Sequence, residues 1–224
     1  MPDLQLPPRG TLTAIGESDP LRFYYKPLVG HIFRARINLG LRLLEGRFRR
    51  VLEIGYGSGL LLPTLSTIAD DVYGVDIEPE PPALRGTLAR LGASVCDLRQ
   101  ADVQRLPFPD DHFDGVVAFS IFEHLKNDQL RPAIREVARV LQPRARFLIG
   151  CPAVHRAMNA AFAAIGFPGI ANHHFSSIKD VLAAAAGSFE VENRATLPGV
   201  FDRMLPMGWA PYTTVLLRKR PTGL

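Results

Sequence analysis

The chain has 224 residues, of which 47% are hydrophobic and 21% charged, enough to bury one sizeable core. Two cysteines, Cys96 and Cys151, exclude a disulfide framework and suit a reducing, cytoplasmic setting. The first 20 residues lack the basic start and apolar core of a signal peptide, and no apolar run approaches the roughly 20 residues that span a bilayer, so a soluble protein is expected. The net charge of +4 gathers at Arg34, Arg36, Arg42, Arg47, Arg49 and Arg50 and again at Arg218, Lys219 and Arg220. Aromatic residues are not interleaved with these charges, so the clusters read as a solvated helix face and a basic tail rather than a nucleic-acid surface.

In chain order, residues 1–20 read as a loose Pro/Gly-rich arm. Ile32, Phe33, Ile37, Leu41 and Leu44 recur at helical spacing and predict a helix over 27–45, stopped by Gly46. An alternation then begins: strand 50–54, helix 59–69, strand 71–76, helix 83–91, strand 94–98, turns over 107–114, strand 115–119, helix 130–141 and strand 146–150. Residues 151–175 break the rhythm and read as a cap. A helix over 177–186 and two strands, 189–193 and 212–218, follow, and an antiparallel hairpin suits those two. Strands alternating with helices predict an α/β fold, its mostly parallel sheet covered on both faces. One domain is expected: arm and leading helix over 1–46, a ligand-binding core over 47–151, a cap over 152–176, and a final helix and strand pair over 177–224.

The first strand runs into VLEIGYGSGL, with glycines at 55, 57 and 59. Glycine lets the main chain turn tightly and approach a ligand, and the crevice of an open α/β sheet lies at such strand ends. A dinucleotide fingerprint needs a glycine where Leu60 stands, and a Walker A loop needs Gly-Lys-Ser/Thr, so both pyrophosphate readings weaken. Asp76 closes the second strand, 21 positions after Gly55, where a carboxylate can accept from both hydroxyls of a ribose or stand as a helix N-cap or a plain surface acid. Asp102 and Val103 follow the third strand. The acid suits an exocyclic amine of adenine, and the valine could pack on its ring.

With these motifs in order, the chain resembles the class I S-adenosylmethionine-dependent methyltransferases of the broad small-molecule type. The resemblance rests on LEIGYGSG (52–59), GVDIEP (74–79), the segment 101–125 and the run 135–152, about half the chain. It implies a Rossmann-like seven-stranded sheet of order 3-2-1-4-5-7-6, the last strand antiparallel, with helices on both faces and a small cap. It implies that Glu53, Gly55, Gly57 and Gly59 line the methionine moiety and that Asp76 holds the ribose. Ile77, Asp102 and Val103 would then meet the adenine, with Phe119 and Ser120 beside the methionine end. Tyr56 stands where the family often has a small residue and is expected to shape the cofactor mouth. Pro143-Arg144-Ala145 replaces a frequent Pro-Gly-Gly, a change expected in loop geometry only.

Displacement at a sulfonium needs alignment and exclusion of water, and a base only where the acceptor has a proton to lose. His124, beside Glu123 after the fourth strand, is the candidate base, with scaffold or cofactor-pocket duty as the alternative. His155, His173 and His174 in the cap show no metal spacing, and no metal is expected. Cys151 reads as a small buried residue. The fourth strand ends Phe119-Ser-Ile-Phe122, not in the Asn/Asp-Pro-Pro-aromatic motif of amino-methylating DNA and glutamine enzymes. Met158, Phe162, Ile165, Phe167, Ile170 and Phe175 in the cap suit a lipophilic acceptor or merely pack the cap. The expected partner is therefore a small organic molecule methylated at O, N or C. A non-catalytic binder of the same cofactor and, less favoured, an NAD(P)-dependent oxidoreductase remain as alternatives.

Overall fold

Val51, Leu52 and Ile54 send apolar side chains to both faces of β1 (Phe48–Ile54), and all three are buried. A strand covered on both sides belongs inside a parallel sheet. In the computed structural model, which describes residues 2–16, 19–155, 158, 160, 174–198 and 210–221, β1 lies between β2 (Ala69–Asp76) and β4 (Phe113–Phe119), parallel to both. Beyond them, β3 (Val95–Gln100) pairs with β2 and β5 (Leu141–Pro152) with β4, again in parallel. β7 (Tyr212–Lys219) inserts antiparallel between β5 and β6 (Phe189–Leu197), completing the order 3-2-1-4-5-7-6.

The two-residue period of each strand sorts the core into two layers. Val116, Ala118, Phe147, Ile149 and Val215 point to the face packed with Leu130, Ile134 and Val137 of α5 (Asn127–Val140) and Ile178 and Val181 of α6 (Ile178–Ala185). Val51, Val72, Val117, Leu148 and Leu216 point to the other, covered by α2 (Pro27–Leu41), α3 (Leu62–Leu65) and α4 (Leu84–Arg90). Helices therefore cover both faces, as the alternation implies.

Several boundaries move, each for a local reason. The helix expected over 59–69 shrinks to α3, because residues 55–61 are consumed by the glycine loop and Ala69 already opens β2. The leading helix stops at Leu41, and Gly46, at φ +84°, instead turns the chain into β1. β5 starts five residues early, at Leu141, and carries Arg144 at φ +65° in the turn where the family favours glycine.

The arm is not loose over its described residues. The Leu4 N–H donates to Asn38 Oδ1 at 2.7 Å, the Gln5 N–H to Thr64 Oγ1 at 2.9 Å, and Leu12 is buried. Nor is the arginine cluster a uniformly solvated face. Arg42 pairs with Asp3 and Arg47 with Asp70, while Arg36 is only 9% exposed. Of the cap, Phe162, Ile165, Phe167, Ile170 and His173 lie outside the described residues. Among the described residues no helix is long and apolar enough to cross a membrane.

Candidate active site

The carboxyl ends of β1, β2 and β4 meet at one edge of the sheet, where the crevice of an open α/β fold lies. The glycine loop leaves β1 there. The Gly55 N–H donates to the Val75 carbonyl at 2.7 Å, and the Gly59 N–H to that of Tyr56 at 2.7 Å. Gly55, Gly57 and Gly59 all have positive φ, at 76°, 53° and 79°. Gly55 also yields space: a Cβ there would sit 1.9 Å from Ile121 Cδ1, so the residue after β4 closes directly onto the loop.

Asp76 clasps this loop. Its Oδ2 accepts from the Gly57 N–H at 2.8 Å and its Oδ1 from the Glu78 N–H at 3.0 Å. A carboxylate has about four acceptor directions, so these two bonds leave capacity for a ligand. Glu53, the penultimate residue of β1, is 6% exposed, and its Oε2 has no hydrogen-bond partner. Burial, with the nearby Asp76 charge adding to it, holds the Glu53 carboxyl well above the usual carboxylate range.

Ile77 follows Asp76 and is 68% exposed, an apolar platform at the crevice edge. Asp102 is exposed and accepts from the Gln104 N–H at 2.8 Å. Val103 turns its side chain into the core with Leu106 and Phe108, so Ile77 is the exposed apolar surface of this region. Tyr56 is 2% exposed, and its ring packs over Gly74 of β2, where a Cβ would come within 2.8 Å of it. The tyrosine thus fills the core behind the loop instead of shaping its mouth. Burial pushes its hydroxyl up to about 12.

At the end of β4, Phe119 and Ser120 are half-buried, with Ser120 at φ +59°. A buried polar group that the sequence did not reveal is centred on Ser120. Arg36 of α2 donates through Nη1 to Ser120 Oγ and through Nη2 to the Tyr24 hydroxyl, both at 3.0 Å. The Tyr212 hydroxyl lies 3.2 Å from Ser120 Oγ, and burial makes that hydroxyl a weaker acid than a free tyrosine, holding its proton in place. The Arg36 guanidinium also stacks 4.5 Å from the Phe33 ring centre. Asp19 is a second missed residue. It accepts from the Ile15 N–H at 3.0 Å and the Leu21 N–H at 2.8 Å, and its carboxylate lies beside Gly57. Arg36 was hidden because Ser120 and Tyr212 are remote in sequence, and Asp19 because only the fold sets it beside Gly57; helical spacing marked only that α2 has an inner face.

The 3-10 turn Phe122–His124 follows. Glu123 is 0% exposed, and burial lifts its carboxyl to about 8 against the opposing pull of Arg36, Cys151 and Ser120. His124 is exposed at the turn's end, and the His174 ring lies 5.2 Å from it. Burial, reinforced by Glu123, keeps the Cys151 thiol protonated, in line with a packing role.

Residues 52–149 match a methyltransferase domain family. The uncharacterized methyltransferase YcgJ of Bacillus subtilis is 34% identical over 122 residues, 53% of this chain and 47% of YcgJ. The ubiquinone biosynthesis O-methyltransferase of Azorhizobium caulinodans is 29% identical over 145 residues, 63% of this chain and 54% of that protein. The chain thus spans about half the length of these curated relatives. The crystal structure of N-methyltransferase NodS from Bradyrhizobium japonicum, in complex with S-adenosyl-L-homocysteine, superposes with a TM-score of 0.62. The match covers 91% of this chain and 93% of NodS at 17% identity, a likeness of fold.

Proposed function

We propose that the chain carries a class I S-adenosylmethionine-dependent methyltransferase domain and that it methylates a small organic acceptor at O, N or C. The observation that carries this reading is Glu53: a buried carboxylate with an unpartnered oxygen, set beside Asp76 at the crevice. Two neighbouring carboxylates without a cation suit a ligand that brings positive charge to one and hydroxyls to the other. S-adenosylmethionine has both. When bound, it supplies an electrophilic methyl group on a sulfonium.

The chain's own residues then divide the work. Glu53 and the backbone of Gly55, Gly57 and Gly59 hold the amino-acid end. Asp76 accepts from the ribose, Ile77 covers the adenine, and Asp102 and Val103 border it. Tyr56 backs the loop from the core. Phe119 and Ser120, the latter held by Arg36 and Tyr212, wall the end where an acceptor must line up. Burial of this wall excludes water from the displacement. His124, exposed after the 3-10 turn, is the candidate base where the acceptor carries a proton, with scaffold duty in the pocket as its alternative role.

The name of one relative, a ubiquinone biosynthesis O-methyltransferase, supports a small organic acceptor. Pairing of Arg42 and Arg47 and burial of Arg36 leave less basic surface for nucleic acid than the composition suggests. A cytoplasmic single domain of 1–224, with 152–176 as its cap, completes the proposal. Calorimetry tests the cofactor: S-adenosylhomocysteine binds and NAD(H) does not, and the reverse result overturns the reading. Labelled S-adenosylmethionine incubated with metabolite extracts tests the transfer. Labelling of a small molecule is expected. Tight binding with no product across several extracts would identify a non-catalytic binder.

A further inference from the structure

The turn after β4 and the segment entering α6 are locked together. The Glu123 carbonyl accepts from the Phe175 N–H at 2.7 Å and the Ser176 N–H at 3.2 Å. The Ser176 hydroxyl, fully buried, donates to the Leu125 carbonyl at 2.5 Å and lies 3.3 Å from Asn127 Oδ1. This lock fixes the backbone beneath three side chains: Glu123, His124 and His174. One carboxylate oxygen and one ring nitrogen from each histidine all lie within 4.8 Å of one another.

Among the described residues, neither Glu123 carboxylate oxygen has a hydrogen-bond partner, although the side chain is entirely buried. The adjacent Arg36 acts on it through charge, while its terminal nitrogens donate to Ser120 and Tyr24. A buried carboxylate with open acceptor sites, flanked by two imidazoles, calls for a cation.

We infer that Glu123, His124 and His174 bind one divalent transition-metal ion. Two imidazole nitrogens and one carboxylate oxygen form a borderline donor set, which suits Zn²⁺ and Co²⁺ better than the oxygen-seeking Mg²⁺ and Ca²⁺. Ligand atoms about 2.0–2.2 Å from zinc stand roughly 3.4 Å apart in a tetrahedron. His124, exposed at the end of its turn, supplies the contraction by changing rotamer. Three protein ligands leave a coordination position open, on the side where His124 meets solvent. A metal-bound His124 is no longer available as a base, so the ion and the base role exclude each other. Sequence spacing hid this site because His174 lies 50 positions from its partners and only the sheet crossing brings it back.

Tag-free protein, stripped with a chelator, is titrated with ZnCl₂ and with CoCl₂ by calorimetry, and the cobalt titration is followed by visible absorption. One ion per chain and a cobalt ligand-field band are expected. His174→Ala and His124→Ala each weaken binding at least tenfold and change the band, while His155→Ala leaves both unchanged. Glu123→Gln is included with circular dichroism as a fold check; if it unfolds, the exposed His124 variant decides. Absence of binding by wild-type protein overturns the inference. So does a band that persists unaltered in both histidine variants, which means an adventitious ion only. Neither readout depends on methyl transfer, so its failure leaves the proposed activity standing.

Discussion

Glu53 places a carboxyl group where the strand is otherwise apolar, between Leu52 and Ile54. A carboxyl held above its ordinary value of 4.5 binds its proton more tightly in the folded chain than in the unfolded one. Its contribution to stability is complete below that value and is lost as pH rises through the elevated range. Glu53→Gln removes the loss. Urea unfolding of the ligand-free variant from pH 5 to pH 8 should show a flatter dependence than wild type, while affinity for S-adenosylmethionine falls about 10- to 100-fold, the worth of a charge-assisted hydrogen bond. A slope unchanged from wild type would mean that Glu53 ionises normally. Asp76→Ala should likewise lower S-adenosylhomocysteine affinity by at least tenfold in calorimetry, and unchanged binding would remove Asp76 from the ribose.

Arg144 carries a different strain. A non-glycine residue at φ +65° costs about 1 kcal/mol relative to glycine. Arg144→Gly should raise the urea midpoint by that margin with no effect on ligand affinity, since the turn lies at the opposite end of β5 from the crevice.

At the scale of elements, α6 shows how a short helix holds its place. Ser177 caps it reciprocally: the Ser177 N–H donates to Asp180 Oδ2 at 2.8 Å, and the Asp180 N–H reaches Ser177 Oγ at 3.4 Å. Its inner residues Ile178 and Val181 bury against the layer that holds α5. Ser177→Ala should cost about 1 kcal/mol in chemical denaturation. Because the segment before Ser177 also carries His174, the same variant should loosen Co²⁺ binding if that histidine is a ligand.

Elements of this kind were legible wherever a local rule determines them. The alternation of strands and helices and the placing of the glycine loop and Asp76 at strand ends follow from neighbours within a few residues or one βαβ unit. The helix over 59–69 was misread because apolar spacing persists through Leu60, Leu61, Leu62 and Leu65 while the glycine loop claims the first of them. Arg36 looked like any other arginine of a basic helix. Its burial depends on Tyr24, Ser120 and Tyr212, which reach it from three separate elements, and no periodicity within α2 encodes them.

For the whole molecule, the sheet order ties distant parts of the chain into one structure. β7 lies between β5 and β6, so residues 212–219 complete a sheet that begins at residue 48. Lys219 adds a tether, donating to Asp111 Oδ1 at 2.8 Å and to the Leu141 carbonyl. A single cooperative unfolding transition is therefore expected, coincident by near- and far-ultraviolet circular dichroism. S-adenosylhomocysteine at a hundred times its Kd should stabilise that transition by about 2.7 kcal/mol, raising Tm by roughly 5–11 °C for a chain of this size. Two separated transitions would show that the cofactor core and the final strand pair fold as independent units.

Gly55 and Ile121 touch across the crevice: a methyl of Ile121 occupies the very space a side chain at residue 55 would need. Whatever settles against the glycine loop must negotiate with Ile121, and Ile121 begins the turn that carries Glu123 and His124. A ligand on the loop and the turn after β4 thus share one side chain, Ile121, as their point of contact. If the donor shifts the turn toward the geometry a second ligand prefers, each ligand tightens the other by an identical factor. Equilibrium titrations would register such a linkage as an equal fold-change in the Kd of either ligand when the other is saturating.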